Sequence, residues 1–105
     1  MTYGESIAAL ADPTRRAVFE AVAKSPESVS ALAKTLPVSR PAVSQHLKVL
    51  SDAGLVTAKA VGNRRIYQLR PAGLAELRAY LDQFWGDVLA GFASEVEKLE
   101  SDTHD

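Results

Sequence analysis

The sequence contains no cysteine, so this chain has no disulfide bond, no thiolate metal site and no thiol-based redox sensor. It also lacks any stretch of about 18 apolar residues that could span a membrane, and its N-terminus has no charged start followed by an apolar run, as a signal peptide would. We therefore expect a cytoplasmic protein.

Its 105 residues, 47% of them hydrophobic, suffice for one domain with a modest core. We predict that domain at residues 1–100 and a frayed polar tail at 101–105.

Residues suited to catalysis are scarce as well. The chain has only two histidines, no glycine-rich phosphate loop and no evident pair of acids in a cleft. The sequence therefore predicts a protein that is not an enzyme and that needs no cofactor.

Charge is divided unevenly along the chain. Residues 1–70 hold ten Lys and Arg against five Asp and Glu, whereas residues 71–105 hold two against eight. The net charge of −1 hides this division. The asymmetry favours a basic working surface joined to an acidic segment with a different task, although two solvated surfaces that differ by chance would give the same counts.

Capping residues and apolar spacing predict two helices near the N-terminus. The first spans about Gly4 to Leu10. Asp12-Pro13 then begins the second, because an Asp side chain accepts a hydrogen bond from a free amide and Pro at the first helical position needs no donor. The second helix ends near Ser25-Pro26.

Two further helices follow, separated by a tight turn. Ser28 or Ser30 caps the third helix, and Pro37 ends it by disfavouring helical geometry at the preceding residue. Ser39 caps the fourth helix, which Gly54 terminates. The inward stripe of the fourth helix consists of Val43, Leu47 and Leu50. The pattern is helix, turn, helix.

The pattern then becomes extended, and it returns to helix at Pro71. Apolar residues from Leu55 to Val61 and from Ile66 to Leu69 flank Gly62-Asn63, where both residues tolerate positive φ, so we predict a β-hairpin. From Pro71 to about Glu100, apolar residues recur every three or four positions, which predicts one long helix.

The fourth helix carries a polar surface opposite its inward stripe. Arg forms bidentate bonds with guanine in the major groove of DNA, Gln does the same with adenine, and Ser contacts bases or phosphates. An ordinary solvated helix face would have the same composition. The residues on this surface are Arg40, Pro41, Ser44, Gln45 and Lys48.

The predicted hairpin adds basic charge beside this helix. Residues 37–70 contain six basic side chains against the single acid Asp52. Neutralisation of phosphates supplies the sequence-independent part of DNA affinity, so this excess favours a DNA-binding role for Arg64 and Arg65 at the hairpin tip. Alternatively, arginines at a hairpin tip protect a sheet edge from pairing.

The long last helix is more apolar than one face of a helix on a small domain requires. Exposure of all these side chains would leave a large apolar patch, which a second copy of the chain would bury. Alternatively, Trp85 and the Phe residues complete the core of a single chain or line a ligand pocket. The side chains concerned are Phe84, Trp85, Val88, Leu89 and Phe92.

Four stretches, taken in order, resemble the ArsR/SmtB family of winged helix-turn-helix repressors. They are Leu10–Arg16, Val43–Leu50, Ala53–Val56 and Gly62–Leu69. The resemblance covers about Ile7 to Leu99. It implies a mainly α fold with a β-hairpin wing, in the order α-α-α-α-β-β-α.

The resemblance also implies partners and site residues. A homodimer, formed by the first and last helices, would bind a palindromic operator. The implied base contacts are Arg40, Ser44, Gln45 and His46, and the implied contacts to phosphates or the minor groove are Lys48, Asn63, Arg64 and Arg65. The implied dimer residues are Ile7, Leu10, Leu77, Leu81, Phe84, Trp85, Val88 and Phe92. Two alternatives stay open: His46 contacts DNA or bonds a backbone carbonyl, and Thr14, Arg15 and Arg16 touch DNA or brace the second helix.

The sequence departs from the metal-sensing members of that family. Those members use cysteines on the helix before the turn, or carboxylate and His ligands on the last helix. The corresponding segments here, Val29–Ala33 and Leu81–Glu97, contain neither Cys nor His. Carboxylates alone suit hard cations, so we predict no transition-metal site and a metal-independent type of regulator whose effector the sequence does not reveal.

Together these features predict a homodimeric, sequence-specific DNA-binding repressor. The helix from about Ser39 to Ala53 would read the major groove, and the wing at residues 62–65 would hold the flanking backbone. The alternative is a winged-helix module that binds another protein rather than DNA.

Overall fold

The computed structural model describes residues 3–102. Its elements are α1 (Tyr3–Ala11), α2 (Pro13–Lys24), α3 (Val29–Thr35), α4 (Arg40–Asp52), β1 (Val56–Val61), β2 (Arg64–Leu69) and α5 (Pro71–Asp102). The predicted order of four helices, a hairpin and a last helix is confirmed. The final helix continues to Asp102, and the rest of the expected tail, residues 103–105, lies outside the described residues.

Side-chain caps fix the starts of three helices. The Asp12 carboxylate accepts a hydrogen bond from the Arg15 amide at 2.8 Å and begins α2. The Ser28 hydroxyl accepts one from the Ala31 amide at 3.2 Å, so Ser28 rather than Ser30 caps α3. Ser39 caps α4 in the same way. Each such cap stabilises its helix by about 1 kcal/mol.

The core lies between the first four helices and the base of the hairpin. The inward stripe of α4 is fully buried, as its spacing predicts, and it packs against α2 and α3. The buried apolar residues are Ala9, Val18, Val22, Leu32, Val43, Leu47, Leu50, Ala53, Leu55 and Val56. This packing leaves the opposite side of α4 facing outward.

Gly54 ends α4 with a left-handed backbone, φ 78°. That conformation strains any residue with a Cβ, so glycine suits this turn. Gly73, in the first turn of α5, passes so close that a Cβ added to it would lie 1.8 Å from the Gly54 carbonyl oxygen. Two glycines thus allow the start of α5 to pack directly against the end of α4.

The hairpin pairs Val56 with Leu69 at its base and Val61 with Arg64 at its tip. Gly62 and Asn63 therefore form a two-residue turn. Gly62 has φ 62°, and no described residue other than a glycine has a positive φ. This is the pattern of a type II′ turn, which needs a positive φ only at its first central residue. Asn63 therefore does not adopt the positive φ that it could tolerate.

The last helix extends well beyond the core. Its 32 residues span about 48 Å at 1.5 Å per residue, and the molecule measures 73 × 26 × 21 Å. Leu74 and Leu77 pack against the core, whereas every side chain from Leu81 to Glu100 is exposed except half-buried Val96. None of the described helices combines the length and apolarity needed to cross a bilayer.

Candidate nucleic-acid interface

One side of α4 presents an exposed and mainly polar surface. A helix turns by about 100° per residue, so burial of the inward stripe leaves the predicted contact residues on the opposite side. Lys48 donates to the Asp52 carboxylate at 3.0 Å, but both side chains are about two-thirds exposed, and such a surface pair contributes little stability. The exposed residues of this surface are Arg40, Pro41, Ser44, Gln45 and Lys48.

His46 does not lie on this surface. It is two residues from both Ser44 and Lys48, and two residues turn a helix by about 200°. The side chain is half-buried, and its Nδ1 atom is buried without a hydrogen-bond partner among the described residues. His46 therefore lies away from the other predicted base contacts on α4, and its contact with DNA stays a prediction. It lies at the edge of the inward stripe, but Nδ1 does not make the backbone bond proposed as the alternative.

The wing is attached to the segment before α3 by two backbone hydrogen bonds. The Glu27 amide donates to the Tyr67 carbonyl at 3.1 Å, and the Tyr67 amide donates to the Glu27 carbonyl at 2.8 Å. Residue 27 thus acts as a one-residue third strand on the free edge of β2. This pairing fixes the position of the wing against the first turn of α3.

A small cavity of about 250 Å³ lies where the wing, α3 and α4 meet. It brings Arg40 together with the wing residues Asn63, Arg64 and Arg65, which the sequence placed in two separate contact sets. Ser28, Val29 and Ser30 complete the lining. The sequence showed Ser28 and Ser30 only as candidate caps, because their approach to the wing depends on the long-range bonds of Glu27.

Arg15 and Arg16 brace the helices rather than face the candidate interface. Arg15 Nη1 donates to the Ala9 carbonyl and Arg16 Nη1 to the Leu10 carbonyl, each at 3.4 Å. These carbonyls are at the end of α1, where the helix leaves acceptors unsatisfied and where a positive charge is favourable. The geometry therefore favours the bracing role.

The predicted dimer residues fall into two groups. Leu10 and Leu77 are partly buried against the core of their own chain. The others are 44% to 67% exposed, namely Ile7, Leu81, Phe84, Trp85, Val88 and Phe92. Leu89 and Leu99 are exposed as well, and with the α5 residues just named they form an exposed apolar stripe along α5. The alternative that the aromatic residues complete the core of a single chain is wrong.

An open groove of about 620 Å³ runs along this part of α5. Leu77, Leu81, Trp85 and Val88 contribute to its apolar lining, and Arg78 and Asp82 lie beside them. The Tyr80 and Phe84 rings pack edge to face, with centroids 4.9 Å apart. No other described element covers the groove, so its lining is open to a second copy or to a ligand.

Metal ligands are not clustered in the described part of the chain. Between residues 3 and 102, no group of three or more His, Asp or Glu side chains is close enough to hold an ion. The acids of α5 are spread along an exposed helix instead.

Two helices joined by a turn, with a hairpin beside the second helix, define a winged helix-turn-helix protein. Residues 10–58 match the family model described as a helix-turn-helix domain. Over 95 residues the chain is 56% identical to the HTH-type transcriptional regulator Rv2034 of Mycobacterium tuberculosis, covering 90% of this chain and 89% of that protein. An ArsR-like transcriptional regulator from Rhodococcus superposes with TM-score 0.77 and 30% identity, covering 90% of each chain. The chain therefore belongs to the ArsR/SmtB family of winged helix-turn-helix transcriptional regulators.

Two further relatives carry more specific descriptions. The transcriptional repressor SmtB of M. tuberculosis is 40% identical over 74 residues, which are 70% of this chain and 55% of that protein. A homodimeric winged helix-turn-helix DNA-binding domain from Mycobacterium bovis, solved by NMR, superposes with TM-score 0.65 and 28% identity. The superposition covers 80% of this chain and 77% of that domain.

Proposed function

We propose that the chain is a homodimeric transcriptional repressor that binds a palindromic DNA operator in the cytoplasm. In this role α4 enters the major groove and residues 62–65 hold the flanking backbone, while residues 1–100 serve as one DNA-binding and dimerisation unit. The observation that carries the proposal is the shared surface of α4 and the wing, where Arg40 and the wing arginines converge. Repression accords with the description of the SmtB relative. The activity requires no catalysis.

Dimerisation through α5 is the second part of the proposal. Eight large apolar side chains of the described chain outside the hairpin are 44% to 67% exposed, seven of them on α5. Such a patch is unfavourable in water unless something covers it. A second copy covers it symmetrically, and the NMR relative is homodimeric. Two-fold symmetry then predicts half-sites about 34 to 36 Å apart.

Release from DNA is proposed to be independent of transition metals. The absence of cysteine from the whole sequence and the dispersed acids of α5 support this assignment. Its check is a DNA titration with and without Zn²⁺, Ni²⁺ or Co²⁺ at micromolar concentration, with matched ionic strength. A metal-dependent loss of binding would contradict it.

The central test is a binding titration of the purified protein with genomic DNA fragments at several salt concentrations. A DNA-binding regulator retains a small set of fragments and loses affinity steeply as salt rises, because counterions are released from the phosphates. Sequencing the retained fragments gives the operator. No binding at low salt would overturn the proposal and favour a winged-helix module that binds another protein.

A further inference from the structure

The cavity between the wing, α3 and α4 has the composition of an anion site. Guanidinium-bearing side chains reach it from two directions: Arg40 from the first turn of α4, and Arg64 and Arg65 from the wing tip. The Ser30 side chain lies on the third side, where the bonds between Glu27 and Tyr67 hold the wing against α3. With Ser28 and Asn63, six polar or charged residues from three separate parts of the sequence thus line one small concave site.

In the part of the chain that the structure describes, neither ion pair neutralises the positive charge of this cavity. Lys48 pairs with Asp52 and Arg78 pairs with Asp82, and both pairs lie outside the cavity. No acidic side chain lines it either. Three like charges held close together repel one another, so an anion that neutralises them binds favourably. The planar guanidinium matches a phosphate through two parallel hydrogen bonds.

We propose that this cavity binds one backbone phosphate of the DNA operator, with Arg40, Arg64 and Arg65 as its cationic ligands and the Ser30 hydroxyl as an additional donor. The inference rests on the proposed DNA-binding function and changes the role of one residue in it. Arg40 positions the protein on the backbone instead of reading a base, as the family resemblance had implied. Base recognition is then left to the outward residues further along α4, chiefly Ser44 and Gln45.

Neutral phosphates on the DNA test the proposal directly. The probe is a set of duplexes of about 30 base pairs, long enough for two half-sites, taken from fragments that the wild-type protein retains. In each, one linkage per half-site is a methylphosphonate, which has no charge. At one linkage, neutralisation should weaken wild-type binding about tenfold for each half-site, the cost of one charge-assisted contact. It should weaken Arg40→Ala by a smaller factor, because Arg64 and Arg65 still face that phosphate.

Lys59→Ala is the matched control for this scan. It removes the same charge from an exposed position on the same hairpin, outside the cavity. Neutralisation of the linkage that the cavity contacts should therefore weaken binding by Lys59→Ala as much as binding by the wild type. The same neutralisation should weaken binding by Arg40→Ala less. If neutralisation of every linkage weakens binding by Arg40→Ala as much as binding by the wild type, the cavity does not hold a backbone phosphate. If Arg40→Ala weakens operator binding but leaves random DNA unchanged, Arg40 reads a base. Either result overturns the proposal.

A second pair of variants places charge inside the cavity. Ser30→Asp offers a carboxylate to the three arginines and should reduce affinity for all DNA at least tenfold, while the uncharged Ser30→Asn should stay within about twofold. Because an acid in the first turn of a helix is favourable, Ser30→Asp should not destabilise α3, which circular dichroism checks. Equal binding by both variants would overturn the proposal. Failure of the wild-type protein to bind any duplex would instead overturn the proposed function itself.

Discussion

Replacement of Gly73 by alanine tests how the DNA-binding and dimerisation parts of the molecule are joined. The added Cβ would lie 1.8 Å from the Gly54 carbonyl oxygen and 2.8 Å from its carbon. Ordinary contact begins at 3.4 Å, so the two backbone segments must separate by about 1.6 Å. Both of these Gly54 atoms belong to the backbone, so no flexible side chain can move aside to relieve the contact. We expect Gly73→Ala to lower the free energy of unfolding by about 1 to 3 kcal/mol, the usual cost of overpacking.

The same substitution should also weaken DNA binding. Gly54 lies two residues beyond the end of α4, and Gly73 lies in the first turn of α5, so their separation changes the angle between the two helices. In a dimer joined through α5, that angle sets the spacing of the two α4 helices on the DNA. Gly73→Ala should therefore lose operator affinity even at temperatures where circular dichroism shows that it is folded.

Gly86→Ala is the control for this prediction. It also lies in α5, but nothing is within 4 Å of the position of its added Cβ. Alanine is favoured over glycine in a helix by about 0.8 to 1.0 kcal/mol, so this variant should be slightly more stable than the wild type. Thermal unfolding at one protein concentration measures both variants, with about 4 to 8 °C expected per kcal/mol. If Gly73→Ala unfolds at or above the wild-type temperature, the two segments do not constrain each other as described.

Three other substitutions test separate parts of the structure. Trp85→Glu places a charge in the exposed apolar stripe and should give monomers with little operator affinity; sedimentation that still shows a dimer would exclude this stripe as the interface. Arg64→Ala should weaken operator and random DNA alike and reduce the salt slope by about one per protomer, and an unchanged slope would remove Arg64 from the interface. Glu27→Pro removes the amide that donates to Tyr67, so it should loosen the wing and reduce DNA affinity. Glu27→Ala keeps that hydrogen bond and should bind DNA as the wild type does. Equal DNA affinities of the two variants would show that the pairing does not position the wing.

Local chemistry made most of the fold predictable. Asp12 and Ser39 begin helices because their side chains accept amide hydrogen bonds three residues ahead, and Gly54 ends α4 because it adopts a positive φ. These interactions need only neighbours in sequence. The inward stripe of α4 followed from helical spacing for the same reason.

The composition of the candidate site was less predictable, because it depends on contacts between distant residues. The pairing of Glu27 with Tyr67 joins residues that α3, α4 and β1 separate in the sequence, and no local signal marks it. Without that pairing, no local feature of the sequence brings Ser30 or Arg40 close to the wing. His46 is a different case. The family resemblance placed it among the base contacts, whereas helical geometry places it on the opposite side of α4 from Ser44.

The charge division of the sequence acquires a physical meaning in the elongated structure. The acids at Asp87, Glu95, Glu97 and Glu100 lie on the part of α5 that projects beyond the core. Along the helix axis, Asp87 is about 24 Å from Pro71, where α5 leaves the body, and the other three are farther. At physiological ionic strength the Debye length is about 8 Å, so within one protomer these acids are screened from charges near the start of α5. The distal acids therefore have little effect on basic groups near the start of α5, and a net charge of −1 for the whole chain does not by itself predict weak attraction to DNA.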